Sequence, residues 1–381
     1  MQRNTSSIFK RFFDSEKNGG LILLGCVVLS LIIANSALAN GFQNLLNQTI
    51  GFSIINYSVS AWINDGLMAI FFLLVGLEIK REIIAGELSS VKKASLPVLA
   101  ALGGMLVPAL IYYIFNQNTA TAGGWGIPMA TDIAFALAII AVLEKAIPTS
   151  LKIFLAALAI ADDLGAILVI AIFYTDAIHW NYLLMALGIF VLLLSLNFFK
   201  IKSIWPYLFL GIFLWYFMHH SGIHATIAGV LLAFTIPVTG EKGHSPLETL
   251  EHNLAKPVNF LIMPIFALAN TNITIENEMF SNLASPLSLG IFFGLFFGKT
   301  VGVTLMSYTA VKLKIANLPT AANWKHVIGV GMLAGIGFTM SIFISILSFT
   351  AINLVNEAKF AILLTSIFAG LIGFTYLKSI K

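Results

Sequence analysis

The sequence predicts an all-α membrane protein: about twelve transmembrane helices, with two inverted-topology repeats and two discontinuous helices. Three observations predict it. Of 381 residues, 59% are hydrophobic and only 10% charged, against about 25% charged in soluble globular chains. Apolar stretches of spanning length recur at roughly 20–38, 61–80, 95–115, 121–143, 151–174, 181–199, 204–220, 222–237, 256–271, 287–310, 326–350 and 358–378. Lys and Arg gather in alternate connections: nineteen of the 21 lie at the termini or after segments two, four, six, eight and ten. By the positive-inside rule that face, with both termini, is cytoplasmic. Lys359 is the basic residue of the other face, and Lys299 lies within a span. A soluble bundle is excluded, because too little polar surface exists to cover it. The net charge of +4 reflects topology rather than nucleic-acid binding. Cys26 is the sole cysteine, which excludes an intrachain disulfide or a thiolate metal cluster.

Taken in chain order, residues 1–19 mix charge with Ile8, Phe9, Phe12 and Phe13, the pattern of a short amphipathic surface helix. Segment one is too long for a secretory signal core, and more spans follow, so it reads as a transmembrane helix. Residues 49–60 alternate through Ile50, Phe52, Ile54, Ile55, Tyr57 and Val59. An external hairpin and an irregular loop are both open here.

Segment four opens Gly123-Gly124-Trp125-Gly126-Ile127-Pro128 and continues to Thr131-Asp132. Segment eleven carries Gly329, Gly331, Gly335 and Gly337 before Phe338-Thr339. Such interruptions indicate either broken helices or close helix packing. Position favours breaks. Segments three to five (95–174) run long, interrupted, long, and segments ten to twelve (287–378) do the same. The first trio starts on the cytoplasmic side, because Lys80 and Arg81 follow segment two. The second starts outside, because Lys312 and Lys314 follow the far end of segment ten. Opposed trios with paired breaks place a binding site near mid-membrane in a single transporter unit.

Ala161-Asp162-Asp163-Leu164 puts two carboxylates in segment five, flanked by uncharged residues. A charge at this depth costs at least ~2.5–3.5 kcal/mol, and two adjacent carboxylates repel each other when both are ionised. The pair therefore reads as a site for protons, cations or both. Neighbouring residues on a helix point about 100° apart, so one aspartate lines a cavity while the other meets a protein partner. Lys299 is the candidate partner. Gly290, Gly294, Gly298 and Gly302 recur every four residues before and after it, and Ala157, Ala161 and Gly165 recur likewise around the aspartates. These stripes predict that segments five and ten approach each other closely.

Asp132, beside Thr131, lies at the break in segment four. It either balances helix dipoles there or supplies oxygen to a cation. Asp65, near the external end of segment two, is either functional or a solvated helix end. Hard oxygen ligands suit alkali cations and protons. At the cytoplasmic ends Glu78, Arg81, Glu82, Glu251 and His252 form either a pH-responsive group or an ordinary solvated face. His224 reads more readily as a hydrogen-bonded interior histidine than as a sensor.

Together Trp62-Ile63-Asn64-Asp65, Phe71-Phe72-Leu73-Leu74-Val75-Gly76-Leu77-Glu78, Ala130-Thr131-Asp132-Ile133-Ala134-Phe135, Ala161-Asp162-Asp163 and Gly298-Lys299 resemble the NhaA-type Na⁺/H⁺ antiporters of bacterial inner membranes, over nearly the whole chain. That family is itself one of the standard examples of an inverted-repeat transporter. The resemblance implies electrogenic exchange of cytoplasmic Na⁺ or Li⁺ for two external protons. It implies Asp163 as the main cation and proton carboxylate, and Asp162 as its partner, alternating between Lys299 and binding. Thr131 and Asp132 would cross Gly335, Gly337 and Phe338 in segment eleven. Glu78, Glu82, Glu251 and His252 fall in the family's pH-responsive region. A homodimer through residues 49–60 is also implied, although that segment carries no charge here. No cofactor, no enzymatic activity and no resident metal are expected, and the partners are the transported ions and the lipid bilayer. A cation channel is the alternative; a light-driven pump, for which Lys299 would carry retinal, has too few spans.

Overall fold

In the computed structural model, residues 2–52, 55–143, 147–175, 177–239 and 245–380 are described, without the side chains of residues 2–17. The amphipathic pattern expected around Ile8–Phe13 and the hairpin tip at residues 53–54 thus lie outside the described residues.

Helix α1 runs Gln2–Ala34 and α2 Ala39–Asn47. Strands β1 (Thr49–Phe52) and β2 (Ile55–Ser58) pair antiparallel, with Thr49 opposite Ser58 and Phe52 opposite Ile55. The alternating segment is therefore a hairpin. Gly51 sits at φ +149°, where a Cβ would fall 1.7 Å from the Ile55 carbonyl oxygen, so no larger residue fits. A turn of helix α3 (Val59–Ala61) and a widened π turn (Trp62–Leu67) lead into α4 (Met68–Ala85). Next come α5 (Val91–Asn116), a 3₁₀ stretch Ala122–Met129, α6 (Ile133–Val142), α7 (Thr149–Phe173), α8 (Trp180–Phe198), α9 (Trp205–His220) and α10 (Ile227–Thr235). Helix α11 (Pro246–Pro257) passes through a π turn into α12 (Met263–Asn270), and α13 is Asn277–Ser281. Segment ten is α14 (Pro286–Phe292), a π turn (Phe293–Gly298) and α15 (Lys299–Lys312). The chain ends in α16 (Trp324–Ala334), α17 (Phe338–Ser348) and α18 (Ile352–Ser379).

All twelve predicted segments fall on helix. Among the described residues, six helices are long and apolar enough to span singly, or up to eight if each sharply bent pair counts as one span. The rest are short or interrupted: α9 has 16 residues and α10 has 9. Segments four and eleven are broken. Segment four changes from 3₁₀ to α-helix across Ala130–Asp132, and α16 meets α17 at a 46° bend.

The contacts divide the chain into two compact units. The first comprises residues 1–31, 87–166 and 273–381. Its framework is α5 against α15. A Cβ on Gly302 would fall 2.1 Å from the Gly103 carbonyl oxygen, and one on Gly298 2.8 Å from Pro108 Cα. Gly290 lies against Tyr112 and Asn116, and Gly165 of α7 against Met105. Gly290, Gly298 and Gly302 of segment ten and Gly165 of segment five therefore lie against α5, which carries glycines of its own, Gly103 and Gly104.

The second unit comprises residues 32–86 and 167–272. Gly76 lies against Ala233, and Gly229 against the Ala69 carbonyl, so α4 and α10 touch at backbone distance. Leu77, Leu193, Tyr207, Leu214 and Leu247 fill its interior.

Candidate ion-exchange site

The site lies in the first unit, where the two broken segments cross. A break leaves backbone N–H and C=O groups bare, and in hydrocarbon each needs a protein partner. The sequence supplies these partners locally. Asp132 is the N-cap of α6 and accepts from the Phe135 N–H at 3.1 Å. Its other oxygen accepts from the Thr339 N–H at 3.0 Å and from the Thr339 hydroxyl. One carboxylate thus caps two half-helices, α6 and α17, whose N-terminal dipoles favour negative charge. The Asp132 N–H donates to the Ile336 carbonyl at 2.6 Å, and the Thr131 hydroxyl to the Ala334 carbonyl at 2.9 Å. Ser366 of α18 accepts from the Phe338 N–H, and Ser341 donates to the Ile127 carbonyl. The crossing of residues 131–132 with residues 334–339 is therefore hydrogen-bonded from both segments.

Gly335 and Gly337 permit that approach. A Cβ at Gly335 would fall 2.5 Å from the Leu295 carbonyl oxygen, and one at Gly337 2.1 Å from Ser341 Oγ. Phe338 packs edge-on against Phe135, with ring centroids 4.9 Å apart.

Beside the crossing, Lys299 Nζ donates to Asp162 Oδ2 at 2.6 Å. Both side chains are buried, at 0% and 1% exposure, and Asp163 is buried at 2%. The lysine stem passes Gly104 of α5, where an added Cβ would lie 3.0 Å from Val303 Cγ2 and in contact with Lys299 Cδ at 3.6 Å. The π turn Phe293–Gly298 ends directly before Lys299, and such turns occur often at functional positions. Asp162 Oδ1 is buried, and Thr131 faces the Asp162 carboxylate. Asp163 lies near enough to Lys299 to act on its charge. The set is three carboxylates, one ammonium and a hydroxyl, in a space without exposed polar surface. It offers hard oxygens and one mobile positive charge. Among the described residues no group of His, Cys, Asp and Glu has the arrangement of a resident metal site.

The remaining predicted residues lie in the second unit, in two places. Arg81 Nε donates to both Glu251 oxygens at 3.0 Å, and Arg81 Nη1 pairs with Glu82 at 2.6 Å. Glu78 adds its charge to the same guanidinium. Burial pushes the Glu251 carboxyl above its ordinary range, and Arg81 pulls the other way. His252 is exposed and stands outside this network. His224 is elsewhere: its Nε2 bonds the Tyr174 carbonyl at 2.5 Å, as the interior-histidine reading expects. Asp65 lies 3.8 Å from His219 Nδ1 and accepts Trp215 Nε1 on its backbone carbonyl at 3.0 Å. Sequence reasoning missed Gly104, Thr339 and Ser366. Thr339 was within reach, since it follows the glycine run at the second break. Gly104 and Ser366 carry no local signal.

Known proteins match the chain over nearly its whole length. The family model described as "Na+/H+ antiporter 1" matches residues 10–377. The chain is 58% identical to the Na(+)/H(+) antiporter NhaA 2 of Flavobacterium johnsoniae, covering 98% of this chain and 92% of that protein. It is 52% identical to the NhaA antiporter of Flavobacterium psychrophilum, covering 98% and 96%. With the NhaA antiporter of Dechloromonas aromatica the identity is 51%, over 99% and 97%. A multi-pass chain with two crossed broken helices, a buried Lys299–Asp162 pair and a family match over nearly its whole length belongs to the NhaA family of Na⁺/H⁺ antiporters, and is a transporter rather than an enzyme.

Proposed function

We propose that this chain exchanges Na⁺ or Li⁺ from the cytoplasm for external protons, by alternating access, with both ions competing for Asp162 and Asp163. The observation that carries this reading is the fully buried Lys299–Asp162 pair beside Asp163. A buried ion pair is stable only while both partners stay charged or both are neutralised together. A cation that engages Asp162 and Asp163 takes Asp162 from Lys299, and the lysine then gives up its proton. The same cation displaces the proton that Asp163 carries, and two protons arriving later, one at Lys299 and one at Asp163, restore the starting state. Cation and proton thus alternate at one place. Thr131 and Asp162 Oδ1 supply further oxygen to the cation, and Asp132 holds the crossing without changing its own partners.

Two protons against one Na⁺ moves one net charge, worth ~2.3 kcal/mol per 100 mV of membrane potential. In this reading the protein lies in the bacterial inner membrane with both termini cytoplasmic. Residues 95–174 and 287–378 form the inverted repeats, and the hairpin joins two copies as a homodimer. The Arg81–Glu82–Glu251 network, with Glu78, is the pH-responsive group.

Asp163→Asn tests the site. In everted vesicles it abolishes Na⁺-driven proton movement while the protein still inserts. Near-normal exchange by that variant rejects the assignment.

A further inference from the structure

In the second unit an apolar groove of about 730 Å³ runs beneath the hairpin, lined by residues of the hairpin, α4, α9 and α10. Its roof is Ile50 and Ile55. One end is walled by Trp62 and Trp215, whose rings stack with centroids 5.7 Å apart. Both rings are fixed. Trp62 Nε1 donates to the Ile50 carbonyl at 2.9 Å, and Trp215 Nε1 to the Asp65 carbonyl at 3.0 Å. Two polar side chains stand behind these rings. His219 stacks on Trp215 at 5.7 Å and lies 3.8 Å from Asp65. Away from that end the walls are aliphatic, and Ile70 and Ile212 stand 37% and 63% exposed at the rim.

We propose that this groove holds one acyl chain of a membrane phospholipid, its headgroup lying at the Trp62–Trp215–His219 end. The occupant follows from continuity. Ile70 and Ile212 lie on spanning segments, and their exposed side chains form part of the surface this multi-pass protein turns to hydrocarbon. The groove is a recess in that surface. Its size is that of a small-ligand site. Its division into a long apolar part and a short aromatic, polar end matches an amphiphile lying across the headgroup boundary, where Trp and Tyr favour the interface. A second copy is the weaker occupant, because apolar contact between helices has no hydrophobic drive within lipid. The lipid would support the hairpin from below, so the hairpin would be firm in a bilayer and looser in lipid-free detergent.

The experiment reads the two groove tryptophans alone, with Trp125, Trp180, Trp205 and Trp324 replaced by Phe. The protein is reconstituted in phosphatidylcholine containing a rising fraction of phosphatidylcholine brominated on its acyl chains. Quenching in fully brominated lipid that exceeds the quenching left after the groove is filled supports the proposal. The paired substitutions Leu208→Phe and Ile212→Phe fill the groove and remove that excess, while Leu184→Phe, on the lipid-exposed face of α8, leaves it. Quenching that only rises in proportion to brominated lipid, alike in filled and unfilled protein, shows bulk lipid alone and overturns it. Tryptophans unquenched at every fraction, with copies cross-linking through Phe52 at the hairpin, show a second copy in the groove and overturn it as well. Leu208→Phe and Ile212→Phe made singly each narrow the groove, so a paired variant that fails to fold leaves the comparison decisive.

Discussion

Lys299 is held at zero exposure by one short contact with Asp162. Removing either partner leaves the other charge buried and unmatched, which costs about 3–5 kcal/mol. Lys299→Ala and Asp162→Ala should each lower thermal stability in detergent, whereas the double substitution should destabilise less than their sum. Additive losses in that double-mutant cycle would mean that the two side chains do not act as a pair. The aspartate pair and the lysine were legible in the sequence, because a charge inside an apolar run stands out against its background. The stem's route across Gly104 was not. A glycine in a glycine-rich span looks like any other until the side chain passing over it is seen. Gly104→Val should therefore weaken the ion pair although it introduces no charge, and because Lys299 competes with Na⁺ for Asp162 the expected reading is a higher apparent Na⁺ affinity together with lost stability. Unchanged Na⁺ affinity and stability would show that the lysine needs no such passage.

At the scale of elements, the broken helices stand on Asp132. It satisfies donors from α6 and α17 at once, and one lost N-cap typically costs about 1 kcal/mol. Asp132→Ala should therefore cost about 2 kcal/mol or more in thermal unfolding, and Asp132→Asn distinctly less, because an amide oxygen still accepts a bond. Equal losses for the two would argue that charge, not capping, is the residue's contribution. The breaks themselves were readable from glycine and proline runs in corresponding positions of two opposed trios. Of their partners, Thr339 stood beside the second glycine run, but its bond to Asp132, 207 positions away, and that of Ser366 to Phe338 from the next helix leave no local trace. The small-residue stripes illustrate the same boundary. Their four-residue period announced a close contact correctly, but the helix that receives it, α5, depends on packing order, which periodicity does not encode. Gly302→Ala should cost about 1–3 kcal/mol by pushing α15 off Gly103, readable as a fall in unfolding temperature.

At the scale of the whole molecule, composition alone fixed the membrane class and the alternation of basic connections implied the topology. The number of full-length spans was less legible, because hydropathy registers α9, α10 and the interrupted segments as long runs where the backbone makes short helices and π turns. Stability against pH belongs at this scale too. Burial raises the folded Glu251 carboxyl above its ordinary value of 4.5, partly offset by Arg81. Between the ordinary and the raised value the folded protein binds more protons than the unfolded chain. That contribution to stability is full below 4.5 and is lost as pH rises through the raised value. Glu251→Gln should flatten the fall of unfolding temperature with pH in that window, and an unaltered slope would show that Glu251 does not titrate there.

The central claim is that Na⁺ and H⁺ exclude each other from Asp162 and Asp163. The most direct measurement is the Na⁺ dependence of exchange in proteoliposomes over a series of pH values. Competition predicts that acidification raises the Na⁺ concentration for half-maximal rate while the rate at saturating Na⁺ is preserved. A half-maximal concentration that stays constant with pH, with only the saturating rate changing, would contradict it.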